Sequence, residues 1–361
     1  MRRRRLTILL GVLVVLGLAA TPGSAAGFGT IDTGGQSREH ERLTRAALSC
    51  AGDARTDRDC FEPTTMDYLA GHDHEFGAVG APDSDELSDP GAHCDGADYV
   101  TGPYPQTRTQ ATAALDDCLN QMRIRFGEGL DAAQRLLGPD GEVLANEVGL
   151  DPECRSREER EVRAKCAALE GFGRALHGVQ DFYSHSNWAD EADPTRPIGD
   201  ENPPGLDLPA PSPLLDLRGP APDPPVDLTT GCYVARDEVP GVGDCRLRVT
   251  HAGLNKDRGQ IDPVTGAATD PTTPRGMVGT NFAKAVSGAV TETRREWQDF
   301  RSELVARYGS EHGERMICAL THDDPVNDCA RRNLAVATAV PIGLAAVAVG
   351  AILWIRRRRT R

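Results

Sequence analysis

The stretch A-L-H-G-V-Q-D-F-Y-S-H-S-N-W, residues 175–188, carries the strongest structural signal in the chain. It places His177, Asp181 and His185 at successive steps of four residues, so on a helix all three side chains point to the same side. At about 100° per residue, the three positions span about 80° of the helix circumference and climb about 12 Å. Because that climb is too long for both histidines to bind one ion, the spacing predicts two metal ions that share the central aspartate.

Two alternatives to a metal site are a polar helix face turned toward water and a hydrogen-bonded polar core. A solvated face should carry lysine and glutamate, as residues 156–165 do in S-R-E-E-R-E-V-R-A-K. The His and Asp positions are surrounded instead by glycine, serine and tryptophan, and a separate apolar face runs along the same segment. This composition predicts a helix buried on both sides, where ionisable groups must be paired or must bind a metal. It favours metal binding and leaves the polar core as the alternative.

Both ends of the chain carry targeting signals. Residues 1–26 combine four arginines, an apolar run and small residues suited to cleavage after Ala25 or Ala26, which is typical of a secretory signal peptide. Residues 334–355 contain no charge and are long enough to cross a hydrocarbon core of about 30 Å as a helix. Because the basic residues 356–361 mark the cytoplasmic side, we expect a single-pass type I protein of the cell membrane. Its extracellular domain would be residues 27–333.

The expected extracellular domain is strongly acidic. Nine of the 40 Lys and Arg residues lie in the signal peptide and the basic tail, whereas all 54 Asp and Glu residues lie between them, which leaves a formal charge of −23. Such a domain disfavours nucleic acid as a partner because it repels phosphate backbones, although bound divalent cations can reverse the local sign.

Ten cysteines, an even number, all lie in this domain. Export to an oxidising compartment favours disulfides, and no C-x-x-C motif points to a thiolate zinc site. Spacing suggests four short-range bridges and one remaining pair, although connectivity cannot be deduced from spacing alone. The suggested pairs are Cys50 with Cys60, Cys154 with Cys166, Cys232 with Cys245, Cys318 with Cys329, and Cys94 with Cys118.

Helical patterns dominate a domain that is large enough for one large core or two modest ones. Ser37 is expected to cap a first helix, and longer helices are predicted over residues 107–137, 155–188 and 281–308. No convincing alternating strand series appears. Residues 190–230 hold 11 of the 25 prolines and therefore predict an irregular excursion or surface loop. The sequence thus predicts an all-α fold.

Further potential ligands lie outside the 175–188 motif. His40 falls in the first predicted helix, Asp83 and His93 fall in a loop rich in Gly, Pro and Asp, and His251 opens the string H-A-G-L-N-K-D. Each alone is more typical of a capping or hydrogen-bonded residue, but together they could complete a metal site. Ordinary capping or surface roles are expected for Asp85, Asp89, His72, His74, His312 and His322.

The order of these residues resembles the zinc-dependent phospholipase C and single-strand nuclease superfamily. The shared order is an early helical His, a loop Asp followed by His, and a later helical H-x-x-x-D followed by His. The strings G-A-V-G-A-P-D-S-D-E, A-L-H-x-x-Q-D-F-Y-S-H-S-N-W and H-A-G-L-N-K-D resemble more closely the CinY-like bacterial proteins and the fungal heterokaryon-incompatibility HET-C group. These motifs lie within residues 28–304.

The resemblance implies an all-α multi-helix bundle with long irregular loops and two or three zinc ions at the bottom of a cleft. The implied ligands are Asp83, His93, His177 and Asp181 for one zinc, His40 with Asp181 for a second, and His185 for a third. It also implies that the mature N-terminal amine is a ligand, which is that of Gly27 if cleavage follows Ala26. The chain departs from the family in a shorter Asp-to-His gap and in the lack of a downstream H-x-x-x-E, for which His251 is the substitute candidate.

Zinc would lower the pKa of a bound water to about 7 and stabilise phosphoryl oxygens. We therefore expect a membrane-anchored extracellular phosphodiesterase that acts on phospholipid headgroups or similar phosphoesters, with Asp83 as the candidate general base. The alternative is a non-catalytic surface module in which zinc holds the helices together and the acidic face binds a partner protein. The CinY resemblance alone suggests a third possibility, a helper in modifying or displaying a secreted peptide.

Overall fold

A computed structural model describes residues 28–32, 35–50, 60–73, 75–150, 154, 162–233 and 245–330. This part of the chain is mostly helical, which confirms the predicted fold class at that level. Its α-helices are α1 (Glu39–Leu48), α2 (Pro63–Ala70), α3 (Pro82–Asp85), α4 (Arg108–Ala133), α5 (Ala164–His185), α6 (His251–Leu254), α7 (Asn281–Tyr308) and α8 (Ser310–Thr321). Short 3-10 turns cover Gln134–Leu136 and Pro213–Leu215, and strand β1 (Gln260–Ile261) pairs antiparallel with β2 (Ala268–Thr269).

Helix α5 lies at the centre of the described domain, with α4 and α7 packed against it. All of its residues except Ala167 and Glu170 are buried, so both of its faces pack against protein, as predicted. The helix begins at Ala164, whose backbone N–H donates to Glu147 Oε2 at 2.8 Å and so satisfies one of the free amides at the helix start. Residues 155–161, which were expected to extend this helix, lie outside the described residues.

The backbones of α4 and α5 approach closely at two glycines. A Cβ atom built on Gly171 would lie 2.5 Å from the backbone nitrogen of Gly129 and 2.7 Å from the carbonyl oxygen of Arg125. A methyl group cannot fit there unless the helices move apart. The absence of a side chain at Gly171 therefore sets the distance between α4 and α5.

Aromatic packing joins α5 to α7. Phe172 of α5 lies with its ring centroid 5.4 Å from that of Trp297 and 4.9 Å from that of Phe300, and all three side chains are buried. Such aromatic pairs each contribute about 0.5–1.5 kcal/mol beyond the area that they bury. Helix α7 has the predicted bounds, and its buried aromatic side chains pack against α5.

The start of α1 differs from the prediction. Arg38, with a φ of 56°, occupies the N-cap position, and Ser37 does not cap the helix. The buried carboxylate of Glu39 accepts hydrogen bonds from the backbone N–H groups of Ser37 at 2.9 Å and Gly259 at 3.1 Å. An amide of the first turn, that of His40, donates instead to the carbonyl oxygen of Gly29 at 3.1 Å, so backbone takes the place of the expected hydroxyl cap.

The proline-rich segment 190–230 is irregular, as predicted, but parts of it are packed into the core. Leu214 and Leu215 are fully buried. Asn187, just beyond α5, holds the segment at two points: its side-chain amide donates to the carbonyl oxygens of Pro204 at 2.7 Å and Asp227 at 2.8 Å. Buried leucines and a buried amide explain how a segment without helix or strand keeps a defined path.

Five disulfides join the pairs that spacing suggested, which confirms that part of the prediction. They link Cys50 to Cys60, Cys94 to Cys118, Cys154 to Cys166, Cys232 to Cys245, and Cys318 to Cys329. Four of them close local loops, and Cys94–Cys118 ties an irregular segment to α4. Cross-links of this kind stabilise a fold mainly by restricting the unfolded chain.

None of the helices among the described residues is long and apolar enough to cross a membrane. The predicted signal peptide, residues 1–26, and the predicted span, residues 334–355, lie outside the described part of the chain.

Candidate metal centre

Helix α5 presents His177, Asp181 and His185 on one face, and all three side chains are fully buried. Loops and helices from four other regions converge on this face with His40, Asp83, His93 and His251. The structure therefore brings together every described residue that the sequence singled out as a potential ligand. Gly27 lies outside the described residues.

Four side chains form the first group, which we call group A: Asp83, His93, His177 and Asp181. Within it, Asp181 Oδ2 lies 3.0 Å from both His93 Nδ1 and His177 Nε2. Asp83 Oδ1 lies 3.7 Å from His177 Nε2 and 4.0 Å from His93 Nδ1. The ligands of a tetrahedral zinc, at bond lengths of about 2.0 to 2.1 Å, lie about 3.3 Å apart, so these spacings match one ion.

The other oxygen of Asp181 faces a second group, group B, which consists of His40 and the shared Asp181. His40 Nε2 lies 3.2 Å from Asp181 Oδ1, and the backbone nitrogen of Phe28 donates to that same oxygen at 3.2 Å. Asp181 thus directs one oxygen to group A and the other to group B, which is the arrangement of a carboxylate that bridges two ions. Phe28 follows directly on Gly27, so the segment expected to supply an N-terminal amine begins beside this group.

The third group, group C, lies one helical turn further along α5. Asp95, His185 and His251 each offer a ligand atom, and these atoms all lie within 4.8 Å of one another. His185 Nδ1 is 3.3 Å from Asp95 Oδ1, and His185 Nε2 is 3.4 Å from Asp257 Oδ1. His185 Nδ1 also lies 3.3 Å from the carbonyl oxygen of His93, which can accept its proton and leave Nε2 free to bind a metal.

Asp95 and Asp257 were not recognised from the sequence. Asp257 ends the string H-A-G-L-N-K-D, and Asp95 stands two residues after His93. Neither residue belongs to a helical or strand period, so the sequence does not predict where its side chain points. Their proximity to His185 arises from the paths of two loops.

Hydrogen bonds fix the orientation of two imidazoles. His40 Nδ1 lies 2.7 Å from Gln180 Oε1, and His177 Nδ1 lies 2.9 Å from the carbonyl oxygen of Val79. Because both partners only accept, each Nδ1 carries the proton and each Nε2 presents a lone pair to the centre. This is the tautomer that binds a metal through Nε2.

Short elements on either side of α5 are anchored by ion pairs. Arg174 of α5 donates to both carboxylate oxygens of Asp85, at 2.9 and 2.7 Å, and so holds the one-turn helix α3 that carries Asp83. The hydroxyl of Thr30 donates to Asp83 Oδ2, which leaves Oδ1 toward the histidines. Asp85, for which an ordinary capping or surface role was expected, binds Arg174 through both of its oxygens.

A second anchor holds the segment that carries Asp257. Lys256 is fully buried, and its Nζ donates to the carbonyl oxygen of Ser186 at 2.9 Å and to Asp190 Oδ2 at 3.0 Å. Arg275 donates to both oxygens of Asp190 at 2.8 Å. Since every charge in this buried cluster is paired, it ties Asp257 to the end of α5 at a fixed distance.

Several polar atoms of these groups are buried without a hydrogen-bond partner. The unpartnered atoms are His40 Nε2, His93 Nε2, His185 Nε2, Asp83 Oδ1, Asp95 Oδ1 and Asp257 Oδ2. Buried polar groups in folded proteins are nearly always satisfied, so a concentration of unsatisfied atoms in one place demands a cause. His40 Nε2, Asp95 Oδ1 and His185 Nε2 each lie 3.2 to 3.4 Å from another ligand atom without a hydrogen bond, and a shared cation would satisfy them.

The electrostatics of the centre favour positive charge. Burial raises the pKa of Asp181, but the neighbouring imidazoles, His177 first, hold it well below its ordinary value. Burial lowers the pKa of His93, whereas the hydrogen bond and charge of Asp181 raise it to about 9. A divalent cation can supply that positive charge while the rings stay neutral, because metal ligands bind in their deprotonated form.

Cys318, His322 and Cys329 also lie close enough together to hold a metal. Both sulfurs are joined in a disulfide, and this bond removes the thiolates that zinc would require. The ligands available to a metal in groups A, B and C are thus imidazole nitrogens and carboxylate oxygens.

Comparison of the chain with protein-family models, with curated proteins and with solved structures gives no match.

Proposed function

We propose that this protein is a zinc-dependent hydrolase of phosphoric esters, with its centre in groups A, B and C. The observation that carries the proposal is Asp181, whose two oxygens face two separate sets of imidazoles at 3.0 and 3.2 Å. Imidazole and carboxylate ligands suit zinc, and a carboxylate shared between two ions is common to hydrolases of phosphoric esters. The resemblance to zinc-dependent phospholipases C supports the same activity.

In this proposal, zinc acidifies a water and withdraws charge from the phosphoryl oxygens. Groups B and C offer few protein ligands to each ion, and such incomplete ligand sets leave room for water or substrate. Asp83 is the candidate general base because only one of its oxygens faces the histidines, while the other is hydrogen-bonded to Thr30. The substrate class is a phosphodiester of a lipid headgroup or a similar small ester.

Access to the centre is expected beside α6. A cleft of about 220 Å³ is lined by Thr250, Ala252 and Gly253, which flank the buried His251. One turn of helix therefore separates this cleft from group C. Opening of such a short element requires far less rearrangement than separation of the long helices.

The test is zinc analysis combined with turnover by the full-length protein in detergent. We expect two or three zinc ions per chain and hydrolysis of bis(4-nitrophenyl) phosphate or a phosphocholine ester that stops on chelation and returns with zinc. Asp181→Asn should abolish turnover, whereas Asp89→Asn, in a surface turn, should retain it. A fully zinc-loaded protein that hydrolyses neither these esters nor oligonucleotides would contradict the proposal.

The complete burial of the histidine and Asp181 ligands favours a second candidate function. In a non-catalytic surface module, zinc would join the helices and the acidic exterior would bind a partner protein. His185→Ala distinguishes the two. Loss of turnover with a retained fold supports the enzyme, whereas global unfolding supports the structural role.

We also propose that the domain is extracellular and anchored by residues 334–355 as a single-pass type I protein. The five disulfides support export to an oxidising compartment. The position of Phe28 beside Asp181 supports cleavage of the signal peptide close to this residue. N-terminal sequencing of the mature protein and protease treatment of intact cells test both points, and a retained leader or a protected domain would contradict them.

A further inference from the structure

Cys94 stands between ligands of two different metal groups. His93 belongs to group A and Asp95 to group C, so a single disulfide lies at the junction of both. Residues 90–95 form turns and contain neither helix nor strand. The segment that carries these two ligands thus has no regular element of its own to hold it.

The backbone at Cys94 is in the left-handed region, with a φ of 58°. A residue with a side chain adopts this conformation mainly where its surroundings impose it. His93 on one side reaches Asp181 at 3.0 Å, and Asp95 on the other reaches His185 at 3.3 Å. Cys94 therefore sits at the bend from which the two ligands reach different groups.

The disulfide attaches this bend to α4, and α4 packs on α5. Cys118, the partner of Cys94, is a buried residue of α4. On the other side, a Cβ atom built on Gly178 of α5 would lie 3.1 Å from the carbonyl oxygen of Ala92 and from Met122 of α4. The ligand-bearing segment is therefore enclosed between the two long helices and is covalently fixed to one of them.

We propose that the Cys94–Cys118 disulfide positions the ligands of groups A and C, and that metal binding at both groups depends on it. The proposal rests on the proposed metal centre and does not require that the protein turn over a substrate. Its basis is that the disulfide adjoins His93 and Asp95 directly in sequence, and that these two residues reach Asp181 at 3.0 Å and His185 at 3.3 Å. Cys94 is thus a positioning residue and makes no contact of its own with a metal.

Other disulfides provide matched controls. Cys50–Cys60 and Cys154–Cys166 lie ten or more residues from every candidate ligand in the sequence, so their loss should lower stability without displacing the centre. Cys232–Cys245 is not a suitable control, because the carbonyl oxygen of Cys232 accepts a hydrogen bond from the backbone N–H of His251 at 3.1 Å. This contact links it to group C.

The experiment compares zinc content and zinc affinity among full-length variants. Cys94→Ala/Cys118→Ala is expected to bind at least one zinc ion fewer per chain and to hold the remaining zinc in group A at least tenfold more weakly against a chromophoric chelator. Cys50→Ala/Cys60→Ala should keep the wild-type zinc content and affinity. Zinc binding by the Cys94→Ala/Cys118→Ala protein within twofold of wild type, or a loss no greater than in the control, would overturn the proposal.

A second variant tests positioning with the disulfide intact. One glycine inserted between Cys94 and Asp95 leaves the cross-link and His93 in place but displaces Asp95. We expect loss of the zinc held by group C and retention of the zinc held by group A, with an unchanged circular dichroism spectrum. Full zinc content in the insertion variant would show that Asp95 does not depend on its attachment to Cys94.

The outcomes separate this proposal from the proposed hydrolase activity. A wild-type protein that binds zinc without turnover defeats the hydrolase and leaves the role of the disulfide to be decided by the variants. A Cys94→Ala/Cys118→Ala protein that keeps its zinc and hydrolyses phosphoesters defeats the positioning role alone.

Discussion

Among single residues, Gln180 controls the nitrogen that His40 presents to the metal centre. Its side-chain amide nitrogen donates to Thr44 Oγ1 at 3.0 Å and to Thr293 Oγ1 at 3.2 Å, so its oxygen is left to accept from His40 Nδ1. The amide is fully buried between α1, α5 and α7. A residue outside the candidate ligand set thereby sets the tautomer of a candidate ligand.

Gln180→Met should weaken zinc binding at group B by about 10–100-fold, the usual cost of losing a partner that orients a metal ligand. Competition with a graded series of chelators measures this change. Gln298→Met, at an exposed position of α7, is the control and should bind zinc like the wild type. Equal affinities in both variants would show that His40 needs no such orientation.

Glu296 of α7 should make stability depend on pH. Burial raises its pKa to about 8, so between about pH 4.5 and 8 the folded state keeps a proton that the unfolded chain has released. Stability contributed by this residue is therefore present at acidic pH and lost as the pH rises through that window. Glu296→Gln cannot ionise and should lose less stability between pH 5 and 8 than the wild type, by about a few kcal/mol.

Urea unfolding at pH 5, 6.5 and 8 measures how the free energy of unfolding changes with pH in Glu296→Gln and in the wild type. Glu303→Gln provides the control on the same helix, because Glu303 keeps a partly exposed side chain. It should retain the wild-type dependence on pH. Parallel curves for Glu296→Gln and the wild type would mean that Glu296 is ionised in the folded protein at pH 7.

The residues of the centre differ in how far the sequence could predict them. His177, Asp181 and His185 follow the helical period, so their common face was predictable before their neighbours were known. Asp95 and Asp257 lie in loops, where direction depends on the disulfide at Cys94 and on the buried ion pairs of Lys256. Such long-range constraints leave no periodic pattern in the local sequence.

Among the helices, the α4–α5 contact should tolerate no added side chain. Gly171→Ala would place a methyl group against the backbone of Gly129, and overpacking of this kind costs about 1–3 kcal/mol. Gly127→Ala, on α4 with no atom within 4 Å of the new Cβ, should instead be neutral or stabilising by up to about 1 kcal/mol. Thermal and urea denaturation compare the two, and similar stabilities would contradict the close approach.

Long helices were predicted better than short ones. Helix α7 has the predicted bounds, and α4 ends in a 3-10 turn close to the expected end of its helix. Helices α3 and α6 have four residues each, which is too short for a hydrophobic period to show. Helix α8 could have been recognised, because Gly313, Met316, Ile317 and Leu320 lie on one buried face.

For the molecule as a whole, the metals should act as a major source of stability. The candidate ligands come from α1, α3, the loop around Cys94, α5 and α6, so one centre joins segments more than 200 residues apart in the chain. At a free zinc concentration 1,000 times Kd, each site stabilises the folded state by about 4 kcal/mol. Chelation should therefore lower the melting temperature by about 10 °C or more.

Scanning calorimetry with and without chelator measures this shift, and zinc added back should reverse it. Magnesium added in place of zinc provides the control, because imidazole ligands do not favour it. A melting temperature that stays constant while zinc analysis shows complete removal would indicate that the fold does not depend on its metals.

The two hydrogen bonds of the Asn187 side chain separate the packed core from an exposed loop. Asn187 lies two residues beyond His185 and holds Pro204 and Asp227, so the chain between these two points starts from and returns to the same place. Within it, residues 219–226 lie outside the buried core, so related chains can exchange or lengthen them without any cost to the candidate ligands. Diversity in what the surface recognises could then evolve independently of the chemistry beneath it.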